Sequence, residues 1–541
     1  MNNADGLQRI HLQIMWDRLL AIVEEQAQTL IRTAFSTTVR EAGDLSAGVF
    51  DTAGRMLAQA ITGTPGHVNA MAASVGFFLK KYPLSALQPG DVLLTNDPWL
   101  GTGHLNDFTV VTPVFFQGQP IALFASTSHI ADVGGLGFGP DGRQVFEEGL
   151  NIPISFLFRE GIANETLLEI LRVNVRDPLA AEGDLHSLAA CNRKGATSLV
   201  EMVDEFGADK FAAVSELIIE NSRNAMLAEI RKLPFGSWSN SMRIDGYDEA
   251  VDLVCNLRID EDGIDVDFSG TSPMSPHGIN VPVTYTQAYA SFGVRCVIGN
   301  DVPNNAGSLA VVRVTAPEGC ILNATRPAAV SARHAIGQML PDVVLGCLHD
   351  PLDGQVPAEG ASCLFGPVFL GGKGVIPGSE SAPFVINAFY AGGTGARPTK
   401  DGLSCTAFPS GVRSTPVEIT ENTAPLIIWR KEYRTDSGGA GRFRGGVGQV
   451  MEFAHADGEA FAVSKMFDRV VHPPRGRDGG GDGATAKVYI KDGPQLRGMG
   501  RETIPAGHSM VLETAGGGGR GEAPERDAEA IALDRLNELI S

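Results

Sequence analysis

From His11 to Phe35 apolar residues recur at helical spacing (Leu12, Met15, Trp16, Leu19, Leu20, Val23, Ala27, Leu30, Ile31), with Asp17, Arg18, Glu24 and Glu25 between them. This pattern predicts an amphipathic helix packed on a core. Gly43 breaks it, and Ala47 to Asp51 reads as a strand. Asp44 therefore lies in a loop entering a strand, where a turn or cap role is the plainer reading and a rigidly mounted ligand the other. Gly63 to Met71 reads as a turn feeding a helix from Ala72 to Lys81, so His67 falls near a helix start, where capping explains it as well as chemistry does. Val92 to Thr95 is a short buried-type strand. Phe108 to Phe116 and Pro120 to Ser126, rich in Val, Thr, Phe and Ile, flank Gln117-Gly118-Gln119 and predict a β-hairpin. Pro113 cannot donate to a ladder, which marks its strand as an edge or as bulged.

Helix signals dominate Glu165 to Leu233, broken at Asp177-Pro178 and Gly207-Ala208-Asp209, and Pro234-Phe235-Gly236 ends the block. Its mixed surface charges suit helix packing or a subunit interface. Short strands follow at Asp252–Arg258, Ile264–Ser269, Ala310–Thr315 and Pro383–Ala391, and Asp527 to Ile540 reads as a closing helix with Ile531, Leu533, Leu536, Leu539 and Ile540 as its apolar face. The expected class is α+β: a large, strand-rich composite fold with an N-terminal helix, a central helical block and several mixed sheets. Three regions are expected: a metal-site region with the helical block (1–235), a strand-rich domain (236–420), and a glycine-rich strand region with the C-terminal helix (421–541).

Composition narrows the partners. The formal charge of −20, from 43 basic and 63 acidic residues, repels phosphate backbones and anionic membranes, so neither nucleic acid nor a membrane is expected. Arg475-Gly476-Arg477 is short and close to Asp478 and Asp482, and reads as a solvated loop. The 7 cysteines are widely spaced and form no Cys-x-x-Cys, so they are expected as buried apolar groups in a reducing compartment. No basic or apolar leader pattern stands at Met1 to Gly6, and no apolar run approaches the ~18 residues of a membrane span. A cytoplasmic location is the simplest expectation.

Candidate chemistry concentrates where His-x-x-Asp occurs twice, at His104/Asp107 and at His129/Asp132, at the open end of the predicted hairpin. With a three-residue loop, Asp107 stands directly opposite His129, and Cβ atoms about 5 Å apart let a carboxylate and an imidazole share one cation. A one-residue slip would destroy this arrangement. A single His-x-x-Asp is more readily a turn cap than a ligand; the repetition raises the metal reading to parity. Gly392 to Lys400 lacks the Gly-Lys-Ser/Thr ending of a P-loop, and its glycines are expected to serve tight turns. In Asp436 to Gly448, Arg442 and Arg444 alternate as on an exposed strand, either solvated or gripping an anion or a partner carboxylate. There is no nucleotide motif and no Gly-x-Ser-x-Gly elbow.

Several passages, in order, resemble the hydantoinase B/oxoprolinase family: Val39-Arg40-Glu41 with Asp44 and Ser46, Asn96-Asp97-Pro98, His104-Leu105-x-Asp107, His129-x-x-Asp132-x-Gly134-Gly135, Asn174-Val175-Arg176, Asp267 to Ser272, Ala316-Pro317-Glu318-Gly319, Asp436 to Arg442, and Gly516 to Gly519. The family pattern reads Gly-Gly-Thr-His where this chain has Gly101-Thr102-Gly103-His104. The resemblance implies the metal-containing subunit of an ATP-dependent cyclic amide hydrolase of hydantoinase, oxoprolinase or lactamase type. A separate hydantoinase A-like subunit would bind ATP and phosphorylate the substrate, giving a hetero-oligomer. It also implies one divalent metal (zinc, iron or manganese) on Asp44, His104, Asp107 and His129, with Asp132 and His67 as supporting candidates behind the ligands. Alternatives are a subunit of an ATP-dependent ketone carboxylase, and a non-catalytic scaffold with a structural metal. No general base is singled out.

Overall fold

In the computed structural model residues 3–62 and 64–541 are described. Met1, Asn2 and Gly63, on which part of the leader and turn readings fall, lie outside the described residues. The first half is built on a seven-stranded sheet of β1 (Leu45–Phe50), β2 (Met56–Gln59), β3 (Val92–Thr95), β4 (Asp107–Phe116), β5 (Gln119–His129), β6 (Ser155–Arg159) and β7 (Ile162–Ala163), in the order β2-β1-β5-β4-β3-β6-β7. The central hairpin is covered on both faces. Val110 and Phe124 join Met15, Leu19, Val23 and Leu188 from the helices Asn3–Thr33 and Pro178–Phe206, whereas Val111 and Leu123 join Val68, Met71, Val75 and Phe78 from the helix Pro65–Lys81. Successive side chains of a strand point to opposite faces, so a sheet buried on both sides reads as a continuous apolar run rather than an alternation.

β4 is central, not an edge strand. Pro113 pairs with Leu123 of β5, but the pairing with β3 stops at Val111, so the missing N–H falls where β4 has only one neighbour. The bulge lies one residue further on, between Val114 and Phe115. The helical block appears as Glu165–Asn174, Pro178–Phe206 and Ala208–Ile230.

Beyond residue 235, β8 (Gly236–Ile244), β9 (Val251–Asp260), β10 (Gly263–Asp267) and β11 (Val312–Thr315) form a sheet in the order β11-β10-β9-β8. Two helices not foreseen in this strand-rich stretch, Val283–Arg295 and Leu340–Cys347, share a core with it through Val294, Val343 and Val344 against Leu253 and Leu257. Strands β12 (Leu364–Phe365), β13 (Val368–Gly371), β14 (Phe384–Asn387) and β15 (Tyr390–Ala391) follow. The last group is β16 (Leu426–Tyr433), β17 (Gln449–His455), β18 (Phe461–Met466), β19 (Lys487–Ile490), β20 (Met499–Ile504) and β21 (Ser509–Glu513). The sheet β14-β13-β18-β20 takes strands from both sides of residue 420, so the two C-terminal regions share one sheet and one core.

The glycine-dense passages are not a set of tight turns. Gly393, Gly445, Gly517 and Gly518 have no positive φ; instead, extended segments lie side by side and bond backbone to backbone. Gly446 N donates to Thr394 O, Gly517 N to Gly446 O and Gly439 N to Gly517 O, at 2.9, 2.9 and 2.8 Å. A Cβ on Gly517 would stand 1.9 Å from Thr394 O, and one on Gly393 1.8 Å from Gly446 O. Glycine is there because the chains approach too closely for any side chain, as at the axis of a collagen triple helix. Arg444, expected on an exposed strand, is buried in this stack with its guanidinium 3.2 Å from Asp534. That carboxylate is the buried residue of the closing helix, Ala528–Leu536, whose Leu533 and Leu536 face solvent. The helix is held by charge, not by the apolar face expected of it. Arg475 and Arg477 are likewise structural ties, to Glu359 and to the Pro357 carbonyl, at 2.7 Å each.

Gly517→Ala is expected to destabilise the chain by about 3 kcal/mol or more, because backbone must move to admit the methyl. Gly481→Ala, whose Cβ would meet nothing nearer than 3.5 Å, should stay close to the parent. Denaturant or thermal unfolding of the two variants side by side checks this; equal stability would contradict the close-approach account.

Candidate metal centre

Asp107 opens β4 and His129 closes β5, and the two are direct partners in the ladder. The turn has two residues, Gln117 (φ 50) and Gly118 (φ 79), both left-handed as a type I′ turn requires. The three-residue loop expected from the sequence is thus a two-residue turn plus the bulge at Val114/Phe115, and the register at the open end is the same. His104 comes from the turn before β4. One ligand atom each of His104, Asp107 and His129 lies within 4.8 Å of the others, and all three residues are buried.

Asp107 is the centre of the cluster. Its Oδ1 is 2.6 Å from His104 Nε2 and 3.2 Å from His129 Nδ1. Its Oδ2 is 2.8 Å from His67 Nε2, accepts from Thr102 Oγ1 at 2.5 Å, and pairs with Arg333. Asp44 stands one step further out: its Oδ1 accepts from Thr64 Oγ1 at 2.8 Å and lies 3.5 Å from His67 Nδ1. His67 is not a cap beyond the helix; Pro65 occupies the first turn of Pro65–Lys81, so the helix starts early and carries His67 inward between the two carboxylates. Asp132 is drawn elsewhere, its carboxylate receiving Arg176 Nη1 at 2.6 Å and Gly134 N at 3.2 Å.

The proton inventory shows why a cation fits. His104 Nδ1 is 3.0 Å from the Ser331 carbonyl, an acceptor that places the ring proton on Nδ1. The other nitrogen is then a bare lone pair, buried without a hydrogen-bond partner and facing a carboxylate oxygen. His129 Nε2 faces the Asn387 amide at 3.4 Å, and the Asn387 Oδ1 is itself buried without a partner. With Asn387 Nδ2 addressing Nε2, the His129 proton falls on Nδ1, which lies 3.2 Å from Asp107 Oδ1; this is the proton a bound cation would displace. The bare His104 Nε2 and a carboxylate oxygen 2.6 Å from it repel one another in a dry site unless a positive charge joins them. This donor set fits a borderline divalent ion such as zinc, iron or manganese.

Burial, reinforced by the Arg333 charge, lowers the His104 pKa to about 4. For His67 burial works the same way, but the Asp107 and Asp44 carboxylates outweigh it and raise its pKa. Burial resists the Asp107 charge, yet His67 and Arg333 hold its pKa well below the usual carboxylate range. Burial and Arg333 hold His334, on the cavity wall, well below the ordinary imidazole range.

Sequence reasoning missed Arg333, Tyr285, His334 and Asn387, all remote in sequence. Arg333 donates Nε to Thr102 O at 2.6 Å and lies 4.1 Å over the Tyr285 ring. Gly103, in the tetrad that departs from the family pattern, has φ +100, and a Cβ there would stand 2.6 Å from the Arg333 side chain. The glycine at this position makes room for the arginine. The compact Ser331-Ala332-Arg333-His334 was the one available signal.

A double-faced α+β composite with a buried His/Asp cluster at one hairpin mouth defines the class. The hydantoinase B/oxoprolinase family model matches residues 8–523, and the chain belongs to that family. It is 30% identical to an uncharacterised protein of Methanocaldococcus jannaschii, over 99% of this chain and 94% of that one. It is 27% identical to a putative D-/L-hydantoinase B-type component of Pseudomonas sp. (strain NS671), over 98% and 93%. The 5-oxoprolinase 1 of Arabidopsis thaliana is 30% identical over 95% of this chain, which spans only 42% of the plant protein. Among solved structures, an ATP-dependent caprolactamase from Pseudomonas jessenii superposes with a TM-score of 0.90 at 23% identity, covering 98% of this chain and 94% of that one. A nucleotide-free acetone carboxylase gives 0.86 at 19% identity, covering 98% and 78%. These last two establish the shared fold.

Behind the cluster, Glu148 Oε1 accepts from Val330 N and Ser331 N at 2.7 and 2.8 Å, which holds the peptide whose carbonyl receives His104. Burial raises the Glu148 pKa to about 8. A carboxyl with a raised folded-state pKa contributes stability that is complete below its unfolded value near 4.5 and is lost as pH rises toward about 8. Glu148→Gln keeps the acceptor but cannot ionise. The variant should therefore gain on the parent across that window, by a few kcal/mol at most. Unfolding free energies measured at pH 5 and pH 8.5 check the sign; a constant difference would contradict it.

Proposed function

We propose that this chain is the metal-containing subunit of an ATP-dependent cyclic amide hydrolase of hydantoinase, oxoprolinase or lactamase type, acting on a substrate phosphorylated by a hydantoinase A-like partner. The observation that carries the metal reading is the convergence on Asp107 Oδ1, in a buried site, of His104 Nε2, whose proton the Ser331 carbonyl holds on Nδ1, and of His129 Nδ1. Family membership and the activities for which the relatives are named support the reaction class. The absence of a nucleotide motif supports the division of labour with a partner. The same centre would serve ketone carboxylation, and substrate assays with and without bicarbonate separate the two.

His104, Asp107 and His129 would hold the ion; Asp44, the fourth ligand that the resemblance implies, stands behind His67, 3.5 Å from its Nδ1. When bound, a divalent ion supplies Lewis acidity toward a carbonyl or phosphoryl oxygen and toward water. Arg333 and Thr102 hold Asp107 Oδ2, which leaves Oδ1 for the ion. The Ser331 carbonyl fixes the His104 tautomer and ring plane, the outer support that ligating imidazoles ordinarily have. His67, placed between Asp44 and Asp107, can hold a proton at Nε2 or Nδ1 and move it between the carboxylates. Phe138, packed on both His104 and His129, keeps bulk water off the cluster.

Purified chain is expected to carry close to one ion, and His104→Ala and His129→Ala to lose at least about 90% of it by elemental analysis, with turnover in the assembled complex down about two orders of magnitude or more. Full metal content in both variants would reject the site. Variants that lose metal, still assemble and keep turnover would favour a structural role. The isolated chain should hydrolyse neither ATP nor lactams, with activity appearing on addition of a hydantoinase A-like subunit; robust ATPase activity from the chain alone would overturn the division of labour.

A further inference from the structure

A cleft of about 530 Å³ lies apart from the metal residues and shares no lining residue with the cavity beside them. Its volume is that of a small-molecule pocket, ordinarily about 300–1,000 Å³. Strand β11 forms one side with all four of its residues, and the helices Pro65–Lys81 and Val283–Arg295 form the other, where Ala72, Ala73 and Ala288 leave the space open. The charged and amide side chains around it are already engaged. Arg55 is paired with Asp51 at 2.6 Å and with Glu216, and Arg313 with Asp265 at 2.5 Å. Asn69 donates to Ala288 O and Ser291 Oγ at 3.3 Å each and accepts from Asn304 at 2.9 Å.

The backbone of β11 differs. It is the outermost strand of its sheet and pairs only with β10, in parallel. Ile264 N donates to Val311 O at 2.9 Å and Phe268 N to Thr315 O at 3.0 Å. Backbone groups alternate in direction along a strand, so Val311, Arg313 and Thr315 present theirs to β10, whereas Val312 and Val314 present theirs away from it. The outward side is the cleft side: Gln287, a cleft residue of the helix Val283–Arg295, donates Nε2 to Val314 O at 3.3 Å. The N–H and C=O of Val312 and the N–H of Val314 are left with no protein partner among the described residues. One adjacent donor and acceptor thus stand open on a cleft of ligand size, where backbone groups otherwise find partners.

We infer that this cleft binds a small molecule carrying a cis amide, whose adjacent N–H and C=O exchange both hydrogen bonds with the C=O and N–H of Val312. The inference goes beyond the functional reading above and stands without it. Lactams, cyclic ureides and pyrimidine bases share this group, because closing a small ring forces the amide cis, whereas an open peptide keeps it trans. The alanine methyls of the facing helices suit the ring carbons. An extended peptide suits the cleft less well. Strand addition uses the outward residues of an edge in succession, and here the next acceptor, Val314 O, is already held by Gln287. Only one complete donor–acceptor pair is open, and a single cis amide fills it.

The test titrates the full chain, as purified, by ligand-observed NMR with 2-piperidone and uracil, with 1-methyl-2-piperidone and 1,3-dimethyluracil, which lack the N–H, and with an end-blocked trivaline peptide. The parent should bind 2-piperidone or uracil, the two arms showing whether a lactam or a base is preferred. The N-methyl counterparts should bind at least about tenfold more weakly, the scale of one buried hydrogen bond. Ala73→Trp and Ala310→Trp, at exposed positions that line the cleft, should each weaken binding at least about tenfold by filling it. Both should keep the parental unfolding midpoint and metal content. Chelator treatment of the parent should leave the affinity unchanged, which separates this test from that of the metal reading. Equal affinity for the N-methylated rings, parental binding by both tryptophan variants, tighter binding of the peptide than of either ring, or no binding of either ring would overturn the site.

Discussion

A buried carboxylate must be answered by positive charge, and Asp107 is buried to 1% exposure. Leaving such a charge unpaired costs several kcal/mol, and the surroundings of Asp107 read as the response to that demand. Arg333 arrives from more than two hundred residues away, His67 from the start of a helix, and His104 and His129 from the two ends of the hairpin. Arg333 and His67 both address Oδ2. Oδ1 is left to His104, whose proton the Ser331 carbonyl directs away from it, and to His129 Nδ1 at 3.2 Å. The fold thus neutralises half of the carboxylate with protein groups and turns the other half toward two imidazole nitrogens.

The rest of the chain can be understood as the means of holding that geometry. A hairpin open to solvent could slip its register, but β4 and β5 are buried on both faces, so a one-residue slip would exchange two complementary cores. The second half supplies Arg333, Tyr285 and Asn387, and its own shape is set by the glycine stack, in which backbone hydrogen bonds replace side-chain packing. A charge lock of Arg444 and Arg526 on Asp534 ties the closing helix to that stack.

Local pattern made the hairpin, the N-terminal helix and the helical block legible, because their periodicity runs over long stretches. The pairing of Asp107 with His129 followed from turn and register alone, even though the turn is one residue shorter and a bulge restores the count. The helix Val283–Arg295 was hidden because it opens with Val283, Thr284, Tyr285 and Thr286, residues that favour strands, and is made helical by packing between the helix Pro65–Lys81 and the sheet of β11. Arg333 and Asn387 lie where no periodicity speaks, and only the tertiary fold brings them to the cluster. The glycines misled for a definite physical reason: composition reveals that side chains are absent, but not whether the backbone is turning or being approached.

Everything proposed for the site depends on a cation joining His104, Asp107 and His129. The most direct measurement is anomalous X-ray diffraction from crystals of the chain equilibrated with manganese or zinc, recorded on both sides of the metal edge. The expected result is a single strong anomalous peak within ligand distance, about 2.0–2.3 Å, of His104 Nε2, Asp107 Oδ1 and His129 Nδ1. A peak elsewhere, or a metal-free cluster in which His104 Nε2 carries a proton donated to Asp107, would contradict it.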